Sequence, residues 1–144
     1  MRDVTYMRTA ASRLGAALAV AASGLTSTHA VAGADSGAHQ VRYTVTTGQA
    51  MSVNLNYLAA EPQSQSAYNA NPGAYMRNES AVVSPGAPWV FDTTLNDTSW
   101  AYVRAGGAAH YYGAPNPHCD ITIDGQVVTQ QDGETAVQCA LKPW

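Results

Sequence analysis

The sequence predicts an all-β domain, an antiparallel β-sandwich of about seven strands. Three observations carry this expectation. Short segments alternate apolar and polar residues with the period of two that a half-buried strand requires, most cleanly at Met51-Ser52-Val53-Asn54-Leu55-Asn56-Tyr57. Turn signals recur between such segments, the strongest at Asp124-Gly125, where a type I′ hairpin needs positive φ at both residues. Charged residues make up only 12% of the chain, too few for helices laced by ion pairs, while Thr, Val, Tyr, Asn and Gly are common.

Ahead of the strands stands a head with the order of a secretory signal. Arg2, Arg8 and Arg13 make a positive start, and Leu14 to Leu25 is uncharged and rich in Ala, Leu and Val. Two overlapping A-x-A patterns follow, Ala30-Val31-Ala32 and Ala32-Gly33-Ala34, so the signal peptide is expected over residues 1–32. The competing reading is an uncleaved anchor, but a span needs about 20 strongly apolar residues, and this stretch reaches that length only by counting Ser23, Thr26, Ser27, Thr28 and His29. An exported protein of the cell envelope or the extracellular space is expected, with a flexible N-terminus over 33–40 and one domain over 41–144.

Along that domain, Val41 to Thr46 and Met51 to Tyr57 read as two strands of a hairpin around Gly48. From 59 to 87 the alternation dissolves, which predicts a long loop holding an Asn71-Pro72-Gly73 turn and, near its end, a brief strand at Ala81-Val82-Val83. Pro88 to Leu95 and Trp100 to Ala105 suit strands joined by an Asn96-Asp97 turn. Cys119 to Ile123, Gln126 to Thr129 and Thr135 to Leu141 complete the set, with turns at Asp124-Gly125 and Asp132-Gly133. This spacing is that of an immunoglobulin-like sandwich.

Cys119 and Cys139 are the only cysteines, and in an exported protein a disulfide is their expected state. Two tight Asp-Gly turns would lay Cys139 two strands away from Ile123 in one flat sheet and farther still from Cys119, beyond the roughly 7 Å that a disulfide allows. The disulfide therefore predicts that Cys139 lies on a strand crossing to the facing sheet, or that the second turn is looser.

After the signal the chain carries Arg42, Arg77, Arg104 and Lys142 against nine acids, a net charge of −5. That balance opposes nucleic acid and anionic lipid surfaces, both of which are held chiefly by cations. The sequence has no G-x-S-x-G, H-E-x-x-H or P-loop motif. His110 and His118 near Cys119 match no zinc spacing, and His110 with Asp120 or Asp124 and a serine makes a trio that can be drawn in almost any domain. No catalytic residue, metal or cofactor is expected, and His39 is expected to be disordered. Asp124 and Asp132 read as turn formers. Tyr43, Tyr57, Trp89, Phe91 and Trp100 fall on strands, as core aromatics do. Tyr68, Tyr75, Tyr111 and Tyr112 fall among Asn, Gln and Gly, a mixture suited to recognising glycan, lipid or protein. The alternative for these four is a loop packed by its own tyrosines.

The opening Val41-Arg42-Tyr43-Thr44-Val45-Thr46, the second strand ending at Tyr57, Pro88-Trp89 leading into a strand, and Cys119-Asp120-Ile121-Thr122-Ile123-Asp124-Gly125-Gln126-Val127-Val128 followed by Cys139 give the chain a resemblance to the MmpS family over most of its mature length. These are small exported or membrane-anchored proteins of mycobacteria and relatives. The resemblance implies a β-sandwich outside the inner membrane that assists an MmpL-type transporter in exporting siderophores or envelope lipids. Two features depart from the family: the head looks cleavable where the family usually keeps a transmembrane helix, and 59–87 is much longer than the corresponding loop.

Overall fold

A computed structural model of the chain describes residues 37–107 and 114–144. The strands are β1 (His39–Thr46), β2 (Met51–Leu58), β3 (Met76–Val83), β4 (Trp89–Leu95), β5 (Tyr102–Gly107), β6 (His118–Ile123), β7 (Gln126–Asp132) and β8 (Ala136–Ala140). One short helix, α1 (Gln65–Ala70), and 3₁₀ turns at Pro72–Ala74 and Thr98–Trp100 complete the elements. The strands form two antiparallel four-stranded sheets, ordered β4-β1-β6-β7 and β3-β2-β5-β8. The expected sandwich is present, with one strand more than the sequence indicated.

The core comes from the apolar half of each alternating strand. Val41, Tyr43 and Val45 of β1, Val53, Leu55 and Tyr57 of β2, Val103 and Ala105 of β5, and Ile121 of β6 are all buried in one cluster. Each large aliphatic side chain removed from water contributes about 1.5–3 kcal/mol, so the interior sets the parity of these strands. Tyr43 spans the core, its hydroxyl accepting from the Tyr102 backbone N–H at 3.4 Å, and burial pushes its pKa well above the usual phenol range.

Three expectations need correction. The first two strands do not form a hairpin: β1 pairs with β4 and β6, while β2 pairs with β3 and β5. Alternation tells which side chains turn inward, and two strands facing each other across a sandwich read the same as two neighbours in one sheet. The crossing is held by Gly48 N–H on the Pro115 carbonyl at 3.0 Å and by buried Thr47, whose hydroxyl lies 2.9 Å from the Val83 carbonyl. Secondly, the stretch from 59 to 87 is not one long loop, because β3 runs through it and pairs with β2 from Leu58↔Met76 to Met51↔Val83. Its composition hid it. As an edge strand it exposes Arg77, Asn78, Glu79 and Ser80 and fully buries only Val83, so no period of two appears. Thirdly, His39 and Gln40 belong to β1 rather than to a disordered end, with His39 opposite Leu95. Asp124 holds them there, accepting from the Gln40 N–H at 2.9 Å and standing 2.7 Å from His39 Nδ1.

The last third resolves the cysteine geometry. Asp124 and Gly125 both have positive φ, 50° and 86°, and close the β6–β7 hairpin as expected. A bulge opposite Ile121 and Thr122 leaves Val127 and Val128 both exposed. At Gly133 the chain crosses instead of turning back, and β8 joins β5 in the other sheet. A Cβ on Gly133 would collide with the Ala136 carbonyl, while its N–H bonds the Pro117 carbonyl at 2.9 Å. Cys139 thus comes beneath Cys119, and the two form a disulfide between the sheets with Cα atoms 6.1 Å apart.

Two outcomes follow for stability. Replacing both cysteines by Ala should lower the unfolding free energy by about 3 kcal/mol, as expected for releasing a loop of about 20 residues, measured as a shift in the urea midpoint. The Asp124 carboxyl is held below the usual carboxylate range, first by the His39 side chain and then by the Gln40 N–H. A depressed folded-state pKa stabilises above the unfolded value, about 3.9, and that stability is lost as pH falls through the folded value. Asp124→Asn should therefore melt earlier than wild type at pH 7, with the gap closing as pH falls through the folded-state pKa of Asp124; a gap that is absent at pH 7, or that does not close in acid, would contradict this role.

Candidate binding site

The outer face of the β3-β2-β5-β8 sheet carries the most developed surface of the molecule. One end of it is walled by aromatic rings. Helix α1 starts at Ser64, whose side chain accepts the Ala67 N–H at 3.0 Å, and a Gln65–Asn69 side-chain bond of 3.0 Å spans one turn. The helix buries no residue completely, so its place depends on Tyr68. That ring meets Tyr75 at 6.4 Å, Trp100 at 5.7 Å and Trp144 at 5.2 Å between centroids. The carbonyl of Tyr75 accepts the Ala59 N–H at 2.8 Å, which ties the segment to the end of β2.

Trp100 forms the buried floor of this wall. Its 3₁₀ turn is capped by Asp97, which accepts the Ser99 N–H at 2.9 Å, and the hydrogen bonds from Ser99 keep that carboxyl below the usual range. The Glu61 carboxylate holds the turn from the other side, accepting the Asp97 N–H at 3.0 Å and the Asn96 N–H. Lys142 lies over Trp100 with Nζ 2.9 Å from the ring centroid and 5.0 Å from that of Trp144. Burial pushes the Lys142 pKa down, and Asp97 opposes the shift. Trp144 closes the wall against Tyr102, centroids 4.9 Å apart, and remains 40% exposed. A recess of about 510 Å³ lies here, lined among others by Tyr68, Tyr102, Trp144 and Asn56.

Beside the wall lies a polar row. Register places Asn78, Asn56, Arg104 and Gln138 directly opposite one another across all four strands. The next row out is Ser80, Asn54, Gly106 and Ala136. Asn56 Nδ2 donates to Asn78 Oδ1 at 2.6 Å, and the Ser80 hydroxyl donates to Asn54 Oδ1 at 2.7 Å. These bonds fix the amides and leave the Asn78 and Asn54 NH₂ groups and the Asn56 carbonyl with hydrogen-bonding capacity to spare among the described residues. A second recess of about 500 Å³ runs over them, with Gly106 as part of its lining. Asn56 lines both recesses, so wall and row form one surface.

Of the residues singled out from sequence, Tyr68 and Tyr75 are brought together in the wall, and Cys119 and Cys139 in the disulfide. Tyr111 and Tyr112 lie outside the described residues, as do His110 and the expected signal peptide. Sequence reasoning missed Trp144, Tyr102 and Lys142. It read Asn54 and Asn56 as the polar side of a strand without their cross-strand neighbours, because only the end of β3, at Ala81-Val82-Val83, was seen. Asp120 bonds Thr122 at 3.3 Å, His118 bonds Asp132 at 2.8 Å, and no group of three metal-ligating side chains occurs among the described residues. Tyr43, Tyr57, Trp89 and Phe91 pack in or against the core as expected, with Trp89 Nε1 donating to Glu79 at 2.6 Å.

The fold and this surface define a β-sandwich domain with an inter-sheet disulfide and a one-sided recess. Residues 43–139 match the family described as the Rv2576c beta-sandwich domain, and the chain belongs to that family. It is 39% identical over 143 residues to the uncharacterized protein Rv2576c of Mycobacterium tuberculosis (strain ATCC 25618 / H37Rv), covering 99% of this chain and 92% of the relative. It is equally similar to the uncharacterized protein Mb2606c of Mycobacterium bovis.

Proposed function

We propose that this protein is an exported, non-enzymatic binding module of the cell envelope that holds a glycan on the outer face of the β3-β2-β5-β8 sheet. The observation that carries the reading is the meeting of an aromatic wall and an ordered amide row at Asn56. Sugar rings present apolar faces to aromatic side chains and hydroxyls to amides, and rigid aromatics beside adaptable polar groups are the composition of a recognition surface. Export is supported by the signal-like head and the disulfide. Among the described residues no helix is long and apolar enough to cross a membrane.

A second reading keeps the likeness to MmpS proteins and makes the domain an accessory to an MmpL-type transporter moving a lipid or siderophore. The exposed Val127 and Val128 on edge strand β7 are the surface such a partner would cover. Copurification with a transporter that is lost in Val127→Ser would favour it.

Protein expressed from the full chain should bind neutral or acidic tetrasaccharides from a defined panel in calorimetry. Tyr68→Ala and Trp144→Ala should each weaken that binding by roughly 30-fold, the scale of truncating an aromatic anchor, while Val127→Ser should leave it unchanged. Undiminished binding in both aromatic variants would overturn the assignment of the site.

A further inference from the structure

Resting on the glycan reading of this surface, we infer that the sugar it takes carries a carboxylate, and that Arg104 reads it. The four cations of the domain are not equivalent. Arg42 is paired with Asp92 through Nε at 2.7 Å and Nη2 at 3.0 Å. Lys142 is held over Trp100. Arg77 donates to the Met76 carbonyl at 3.1 Å. Arg104 enters no ion pair or hydrogen bond among the described residues, although its charge acts on the Tyr102 hydroxyl. It is exposed on the interior strand β5, between the amides of Asn56 and Gln138.

A neutral glycan would need no cation in the middle of the amide row. An unpaired guanidinium there offers a planar fork that matches a carboxylate with two parallel hydrogen bonds. The only carboxylate lining the recess among the described residues, Glu79, stands on β3, two strands and about 10 Å from Arg104. It is engaged by the Trp89 indole. The mature chain as a whole is negative, so its general field would repel an anion. A preference for acid must then come from the cations of this surface, and of these Lys142, which lines the wall recess, already sits on the Trp100 ring, which leaves Arg104 as the unpaired one. The row from Asn78 to Gln138 spans three strand spacings, about 14 Å, enough for a short oligosaccharide rather than one ring.

The test uses tetragalacturonate, its full methyl ester and tri-aspartate, titrated by calorimetry into protein expressed from the full chain, as wild type, Arg104→Gln, Arg104→Lys and Trp144→Ala. The acid should bind wild type about tenfold more tightly than the ester, a gap that narrows as salt rises. Arg104→Gln should erase the gap by lowering acid affinity to that of the ester, with an unchanged thermal melt showing that the variant is folded, and Arg104→Lys should restore part of it. Equal affinity for acid and ester in wild type, with both lost in Trp144→Ala, would overturn the carboxylate inference and leave the glycan site standing. No binding of either sugar would overturn both. Tri-aspartate binding as tightly as tetragalacturonate would also overturn the inference, by showing that the surface takes acidic peptide.

Discussion

Between Asp132 and Ala136 the chain leaves one sheet and joins the other, and the binding face depends on where it lands. The Cys119–Cys139 bond, with Cα atoms 6.1 Å apart, requires Cys139 to point into the core beneath β6. Because side chains alternate along a strand, Cys139 inward means Gln138 outward. A slip of one residue would bury Gln138 and expose the sulfur. The same parity operates on β2, where buried Leu55 and Tyr57 put Asn54 and Asn56 outside, and on β5, where Val103 and Ala105 put Arg104 outside. The polar row is thus the reverse side of the core. Hydrophobic burial and one covalent bond set which residues face outward, and the Asn56–Asn78 and Ser80–Asn54 bonds then fix their amides.

That dependence explains how much could be read from the chain. Strands β1, β2 and β6 carry a clear alternation, and Asp124-Gly125 announces its hairpin through two positive φ values. The expected disulfide, weighed against distance, already required either a last strand that crosses to the facing sheet or a looser second turn, and the structure takes the first. Pairing partners were another matter. Nothing local to Thr46 and Met51 says that β1 and β2 belong to different sheets, since the deciding contacts come from Pro115 and Val83, far along the chain. Of strand β3 only the end at Ala81-Val82-Val83 was legible, because the rest of this edge strand has little to bury. Trp144 gave no periodic signal, standing at the end of a Lys-Pro-Trp run whose partners come from α1 and the turn before β5. Half of the site was legible as polar residues on β2 and tyrosines after it. The other half exists only once four strands lie side by side.

Scarcity of charge sharpens the functional reading. In a domain with four cations, each stands out against the others. Arg42 and Asp92 close an exposed pair on the far sheet. Lys142 has its ammonium against an indole and acts in packing the wall. Arg104 alone projects from the interior of the sheet among amides. The match to the Rv2576c beta-sandwich family covers strands β2 to β7 entirely, the second half of β1 and most of β8. It therefore includes the polar row and excludes Trp144 and Lys142, so the C-terminal part of the wall lies beyond the family's common domain.

The central claim is that ligand lies across the row and against the wall, and amide-detected NMR tests it directly. On titration with tetragalacturonate, the side-chain NH₂ signals of Asn54, Asn56, Asn78 and Gln138 and the Trp144 indole signal should move together. The Trp89 indole and the backbone of β4 and β7 should stay still. Shifts centred on β4 or β7, with the amide row unmoved, would contradict the account.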